Sequence, residues 1–150
     1  SGKRVAKKDL AKIALTYSHV YVGTISLGFN PQQAIKVLKE AEAYNGPSIV
    51  IAYSPCIAQG ILKGMNNSIE EEKMATKVGY FPLFHFNPET SKFSLDSKAD
   101  FTNYIEFLSG ENRYRSLKNV NNDYKQLLED NKKEAMERYD YYQSLVNKEK

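Results

Sequence analysis

The chain has 150 residues, a single cysteine and a formal net charge of +3, and 41% of its residues are hydrophobic. These values are typical of one globular domain with a buried core, and they exclude a disordered, fibrous or disulfide-rich chain. The first 12 residues carry a net charge of +4 and the other 138 a net charge of −1. The basicity therefore belongs to an N-terminal arm and not to the domain.

No segment of the sequence is typical of a membrane span or a secretion signal. The basic N-terminus is not followed by an apolar stretch with a small-residue cleavage site. We therefore expect a cytoplasmic protein without membrane contact. The longest uncharged stretch, residues 13–35, is interrupted by residues that do not suit a spanning helix, namely His19, Gly23, Gly28, Asn30 and Pro31.

The first part of the chain alternates between predicted helices and strands. Residues 9–17, which begin with a capping aspartate, predict a short helix. The β-branched and aromatic run 20–25 predicts a strand. Asn30 is a suitable N-terminal cap and Pro31 a suitable first-turn residue, so a helix is expected over residues 31–44.

A continuous apolar run at residues 48–53 is bounded by turn residues. It predicts a central parallel strand that is buried on both faces, although so short a run is also compatible with a buried helix. Ser68 begins a capping-box sequence, which predicts a second helix that begins at Ser68 and ends near Gly79. Residues 81–86 predict a third strand. The order strand–helix–strand–helix–strand predicts an α/β layer fold.

The C-terminal part of the chain is predicted to be helical. Two short helices are expected around residues 104–108 and 114–117. Across residues 121–147, apolar residues recur at spacings of three, four and seven among charges of both signs, which predicts a long amphipathic helix. We therefore expect an α/β part over residues 1–95 and a helical extension over residues 96–150, within one structural unit.

Cys56 is the residue whose type and position raise a chemical question. It follows the second predicted strand, at the carboxyl end where open α/β sheets place their ligand sites. A cysteine there is compatible with a nucleophile, a metal ligand or a small buried hydrophobe, and residue type alone favours the buried hydrophobe. His19 and His85 are far from it in sequence, and no phosphate-binding glycine loop or metal-ligand spacing occurs.

Two further features suit contact with another molecule. The basic residues between positions 3 and 12 lack interleaved aromatic side chains, so a solvated arm is favoured over a nucleic-acid site. The tyrosine-rich cluster 138–142 suits packing either on a partner or on its own domain. A non-enzymatic α/β module that docks a partner through this tyrosine-rich helix is therefore an alternative function.

Strings spread in order from residue 2 to residue 145 resemble one enzyme family. The most specific are Ile-Ala-Tyr-Ser-Pro-Cys-Ile at 51–57 and Leu-Asp-Ser-Lys at 95–98. Together with shorter strings, they resemble the C-terminal part of pyruvate:ferredoxin (flavodoxin) oxidoreductase. The resemblance implies part of a thiamine-diphosphate-binding domain, Rossmann-like with a mostly parallel sheet, and a helical C-terminal extension. The shorter strings lie at residues 40–44, 46–49, 110–111 and 113–114.

The resemblance implies a function that the chain serves as part of a longer enzyme. Members of the family are usually homodimers that convert pyruvate and coenzyme A to acetyl-coenzyme A and carbon dioxide. Thiamine diphosphate, held by Mg²⁺, carries the decarboxylation, and electrons pass through 4Fe–4S clusters to ferredoxin or flavodoxin. The Gly-Asp-Gly and Asn-Thr-Gly-Gly-Gln strings that hold magnesium and diphosphate in the family do not occur in this chain.

Cys56 matches the fourth cysteine ligand of the cluster nearest the thiamine in that family. The resemblance therefore implies that Cys56 ligates iron in the complete enzyme. Since one sulfur cannot hold a cluster, the isolated chain is expected to bind no cofactor and to be inactive. The expected partners are the remainder of the polypeptide, pyruvate, coenzyme A, and ferredoxin or flavodoxin. Neither a nucleic acid nor a membrane is expected.

Overall fold

The computed structural model describes residues 5–146, so residues 1–4 of the predicted arm and residues 147–150 of the predicted extension lie outside it. No helix in the described range is long and apolar enough to cross a bilayer, and the cytoplasmic location stays a prediction. The helices are α1 Leu10–Ala14, α2 Pro31–Ala43, α3 Ser68–Lys77, α4 Tyr104–Gly110, α5 Asn112–Arg115 and α6 Tyr124–Val146. The strands are β1 Tyr21–Ile25, β2 Ser48–Ala52, β3 Phe84–Asn87 and β4 Lys92–Leu95.

The four strands form one open sheet in the order β2-β1-β3-β4, with helices packed against it. The α/β class and the partial Rossmann-like architecture with a long C-terminal helix are confirmed. The sheet is mixed, not mostly parallel as expected. β1 and β2 are parallel, whereas β3 is antiparallel to both β1 and β4. The difference arises because β3 and β4 form a hairpin at the far edge of the sheet.

Strand β2 lies at the edge of the sheet, so the prediction of a central strand buried on both faces is wrong. Its only partner among the described strands is β1, and its Ile49 is 37% exposed. β1 lies in the interior of the sheet, between β2 and β3, and all five of its residues are buried. An apolar run indicates that a strand packs against other protein groups, but it does not specify its position in the strand order.

The predicted starts of α2 and α3 are both confirmed, but only α2 has the predicted cap. Asn30 Oδ1 accepts a hydrogen bond from the amide of Gln33 at 3.0 Å, and Pro31 occupies the first turn. At α3, a 3-10 turn over Met65–Asn67 leads directly into the helix, and no side chain caps it. Ser68 is the first residue of the helix and not its cap, so the predicted capping box does not form.

The β3–β4 hairpin differs from the prediction in its bounds and in its second strand. The predicted strand 81–86 begins three residues later, at Phe84. β4 is not predicted, although Phe93 and Leu95 alternate with polar residues at the strand period of two. The turn between the strands places Ser91 at φ 53°, a left-handed conformation that is uncommon for residues other than glycine.

Tyr142 joins the C-terminal helix to the sheet. Its side chain is 1% exposed, and its ring centroid lies 4.3 Å from that of Phe84. Its hydroxyl donates a hydrogen bond to Asp9 Oδ2 at 2.6 Å, so α6 also contacts the N-terminal cap of α1. On the other side of β1, Ala34 and Val37 of α2 pack against the strand. The division of the chain at residue 95 stays a prediction.

The tyrosine-rich cluster 138–142 packs on its own domain. Arg138 Nη2 donates a hydrogen bond to the carbonyl of Tyr80 at 2.7 Å, and the hydroxyl of Tyr139 donates one to the carbonyl of Ser97 at 3.1 Å. In the described part of the basic arm, Lys7 Nζ lies 4.8 Å from the ring centroid of Tyr114. These contacts give both features a role within the fold.

We predict that Tyr142→Ala lowers the free energy of unfolding by about 3–5 kcal/mol, because it leaves a cavity between α6 and the sheet. Tyr142→Phe keeps the ring and removes only the bond to Asp9, so the expected loss is about 1–2 kcal/mol. Urea denaturation followed by circular dichroism measures both. Exposed Gln143→Ala is the matched control, with an expected change below about 0.5 kcal/mol. A loss below about 1 kcal/mol for Tyr142→Ala would contradict this packing role.

Candidate functional site

Cys56 lies in a turn just beyond the carboxyl end of β2. The carbonyl of Cys56 accepts a hydrogen bond from the amide of Gly60 at 2.7 Å, and Gly60 has φ +73°, which favours glycine. The turn directs the backbone amides of Gln59 and Ala58 to Cys56 Sγ, and both donate hydrogen bonds to it. Cys56 is partly exposed. The buried-hydrophobe interpretation, which residue type alone favours, is therefore wrong.

Residues 56–62, here named the cysteine loop, are tied to residues 110–112 at the junction of α4 and α5. The two segments form an isolated antiparallel bridge. Because backbone and side-chain groups both take part, the loop has a defined position relative to the helical part of the chain. The bonds are Leu62 N to Gly110 O at 2.8 Å, Asn112 N to Gly60 O at 3.2 Å, and Asn112 Nδ2 to Gln59 O at 3.0 Å.

A buried carboxylate lies behind the cysteine loop. Glu111 is 3% exposed, and its Oε1 accepts a hydrogen bond from the hydroxyl of Tyr53 at 3.0 Å. Its Oε2 lies 3.5 Å from Nε of Arg113. Arg113 also donates a hydrogen bond to Cys56 Sγ. The guanidinium of Arg113 is therefore shared between the Glu111 carboxylate and the sulfur. Together, Arg113 and the Tyr53 hydroxyl are the partners that the buried charge of Glu111 needs.

The surroundings of Cys56 favour its thiolate. The amide hydrogen bond from Gln59, helped by that from Ala58 and by the positive charge of Arg113, lowers the pKa of the Cys56 thiol below its ordinary value. The thiolate is the form of cysteine that binds metal ions and acts as a nucleophile. The site therefore offers one prepared sulfur ligand at the surface of the chain.

A second carboxyl group faces the same region. Glu71 Oε1 is buried and accepts no hydrogen bond within residues 5–146. Burial, together with the charge of Glu111, raises the pKa of Glu71 above its ordinary value. A Cβ atom placed on Gly110 would lie 3.8 Å from Glu71 Oε1, so this carboxyl group adjoins the α4–α5 junction.

The histidines named from the sequence have partners elsewhere in the fold. His85 is buried, with Nδ1 at 2.8 Å from Asp96 Oδ2 and Nε2 at 3.6 Å from Glu40 Oε2. These partners hold it beside α2. His19 is exposed, and its carbonyl accepts a hydrogen bond from the hydroxyl of Tyr44 at 2.7 Å. Between residues 5 and 146, no group of three or more histidine, cysteine, aspartate or glutamate side chains is arranged to hold a metal ion.

Neither residue spacing nor motifs predicted the residues that surround Cys56. Asn112 contacts the cysteine loop across 53 residues of sequence, and Arg113 follows on a four-residue helix without a periodic pattern. Only the short strings at 110–111 and 113–114 drew attention to this segment, and they carried no chemical role.

Comparison with curated proteins identifies relatives that are oxidoreductases. No family model matches the chain. Pyruvate:ferredoxin oxidoreductase from Moorella thermoacetica is 44% identical over 122 residues, which are 78% of this chain and 10% of that protein. Pyruvate dehydrogenase [NADP(+)], mitochondrial, from Euglena gracilis is 42% identical over 125 residues, 80% of this chain and 7% of that protein. Probable pyruvate-flavodoxin oxidoreductase from Escherichia coli is 36% identical over 153 residues, 98% of this chain and 13% of that protein.

These matches confirm the resemblance that the sequence strings indicated. The chain is homologous to a segment of enzymes of the oxidoreductase class. In particular, it corresponds to one segment of the pyruvate:ferredoxin and pyruvate-flavodoxin oxidoreductases. It spans only 7–13% of the length of the relatives described above.

We predict that Glu71→Gln raises the free energy of unfolding by about 1 kcal/mol at pH 7, because it removes a poorly solvated charge beside Glu111. A carboxyl group whose pKa is higher in the folded chain destabilises the fold once the pH rises above its unfolded value of about 4.3. The gain therefore shrinks towards zero as the pH falls to about 4. Urea denaturation at several pH values measures it.

The matched control is Glu70→Gln on the same helix. Glu70 is exposed and lies 3.9 Å from Lys73, so its replacement changes stability by less than about 0.5 kcal/mol. A gain for Glu71→Gln that is equal at pH 4 and pH 7, or a loss at pH 7, would refute the effect of the buried charge.

Proposed function

We propose that Cys56 is one of the thiolate ligands of a 4Fe–4S cluster in a longer oxidoreductase. The observation that carries the proposal is the cysteine loop itself. Its sulfur is partly exposed, accepts hydrogen bonds from the amides of Gln59 and Ala58, and lies beside Arg113. Iron–sulfur clusters are held by cysteine thiolates, and hydrogen bonds to the sulfurs stabilise their negative charge.

The parent enzyme of this proposal oxidises pyruvate with coenzyme A to acetyl-coenzyme A and carbon dioxide. Two relatives carry ferredoxin or flavodoxin in their names, and these small electron carriers are the proposed acceptors. When bound, the cluster supplies one-electron transfer between the reacting substrate and the acceptor. The role of this chain is to place one sulfur ligand and to set its surroundings.

The chain fits one ligand position of such a cluster. Its sequence contains a single cysteine, and a cluster of this type needs four ligands. The other three ligands, together with the groups that hold thiamine diphosphate and Mg²⁺, are assigned to the remainder of the parent polypeptide. The isolated chain is accordingly proposed to hold no cluster and to be inactive.

Exposed apolar side chains near the cysteine loop support the proposal that the remainder of the parent polypeptide covers this surface. Ile57, next to Cys56, is 84% exposed, and Leu62 at the end of the loop is also exposed. Strand β2 has a free edge within the described part of the chain, and Ile49 on it is exposed. Apolar patches and strand edges of this kind mark surfaces that associate with other protein. The proposed parent enzyme is a homodimer.

We predict that Cys56→Ser in the full-length parent enzyme removes about four iron atoms per subunit, because a ligand of one cluster is lost. Pyruvate-dependent reduction of ferredoxin is expected to fall by more than about tenfold. Iron analysis, electron paramagnetic resonance and the reduction assay measure these changes under anaerobic conditions.

Ser54→Ala is the matched control, because Ser54 is exposed and precedes the same turn. It should retain all clusters and full activity. Retention of every cluster and of ferredoxin reduction in Cys56→Ser would refute the ligand assignment. A stoichiometric cluster formed by the isolated 150-residue chain as a monomer would refute its incompleteness.

A further inference from the structure

We infer that Arg113 raises the reduction potential of the cluster to which Cys56 contributes its sulfur. This inference rests on the proposed function and assigns a positioning and tuning role to a residue outside the ligand set. Arg113 donates a hydrogen bond to Cys56 Sγ and lies 3.5 Å from the carboxylate of Glu111. The sulfur thus has a permanent cation beside it, in addition to two backbone amides.

The position of Arg113 is determined by buried and backbone contacts. Glu111, which anchors its guanidinium, is buried and is itself held by the hydroxyl of Tyr53. The next residue along the chain towards Arg113, Asn112, is bonded to the cysteine loop through both its backbone amide and its side-chain amide. The segment that carries the cation and the loop that carries the sulfur therefore form one hydrogen-bonded unit.

The electrostatic consequence follows from the charge that reduction adds. A reduced cluster carries one more negative charge than the oxidised cluster, and part of that charge is on the cysteine sulfurs. A positive charge and N–H···S hydrogen bonds stabilise the reduced form more than the oxidised form, which raises the potential. Without Arg113, the buried charge of Glu111 would also lose its cationic partner, which acts in the same direction.

A purely structural role for Arg113 makes a different prediction. If the guanidinium only neutralised Glu111, its replacement would change stability or loop position without a specific effect on one cluster. Arg115 offers a comparison, because it is an exposed arginine on the same short helix. Within the described residues, Arg115 forms no hydrogen bond or ion pair with the cysteine loop, and its amide donates to the carbonyl of Glu111.

The test compares full-length holoenzymes that carry Arg113→Gln, Arg113→Lys or Arg115→Gln. Redox titration followed by electron paramagnetic resonance resolves the clusters by their signals. For Arg113→Gln, the equilibrium constant for reduction of one cluster should fall by about tenfold, which corresponds to about −59 mV for a one-electron couple. Arg113→Lys keeps the charge without the planar fork and should show a smaller shift of the same sign. Arg115→Gln should leave every potential unchanged.

Cys56→Ser, titrated in parallel, separates this inference from the proposed function. If Cys56→Ser alters one cluster and Arg113→Gln leaves the potential of that cluster unchanged, the tuning role is refuted and the ligand role stands. If Cys56→Ser alters no cluster, the proposed function itself fails. Loss of the cluster from Arg113→Gln but not from Arg115→Gln would replace tuning with a structural role and so overturn the inference.

Discussion

The buried carboxylate of Glu111 is the constraint on which the surroundings of Cys56 depend. A charge that is 3% exposed destabilises a fold unless it has partners. Its two oxygens draw Tyr53, which follows β2, and Arg113, which lies on α5, into one arrangement. The guanidinium of Arg113 is thereby held beside Cys56 Sγ. One desolvated acid thus connects the end of the sheet, the helical part of the chain and the cysteine loop.

The sheet explains why the cysteine lies where it does. β1 and β2 run parallel, so the carboxyl ends of both strands lie on the same side of the sheet, and Cys56 follows the carboxyl end of β2. The helices hold this arrangement from both faces, because α2 covers one side of β1 and Tyr142 of α6 packs on Phe84 from the other. The long C-terminal helix reaches back to Asp9, which links the two ends of the described chain.

Local signals in the sequence predicted where helices and strands form better than they predicted which elements lie side by side in the fold. The cap formed by Asn30 and the strand β1 follow from short-range chemistry, and both are confirmed. The edge position of β2 is not local, because an apolar run carries no information about strand order. Cys56 was found from its place after a strand. Arg113 was not found, because its contact with the sulfur joins segments that are distant in sequence.

The pairing between the cysteine loop and residues 110–112 has a consequence for the order of folding. Gln59 and Asn112, which are hydrogen bonded, lie 53 residues apart. During synthesis, β2 and the turn that follows it leave the ribosome well before the α4–α5 junction exists. The hydrogen bonds to the sulfur from its own turn can form early, whereas the guanidinium arrives only after this long-range closure. The site is thus completed late, since the positive charge of Arg113 reaches the sulfur only once the helical part of the chain has packed against the cysteine loop.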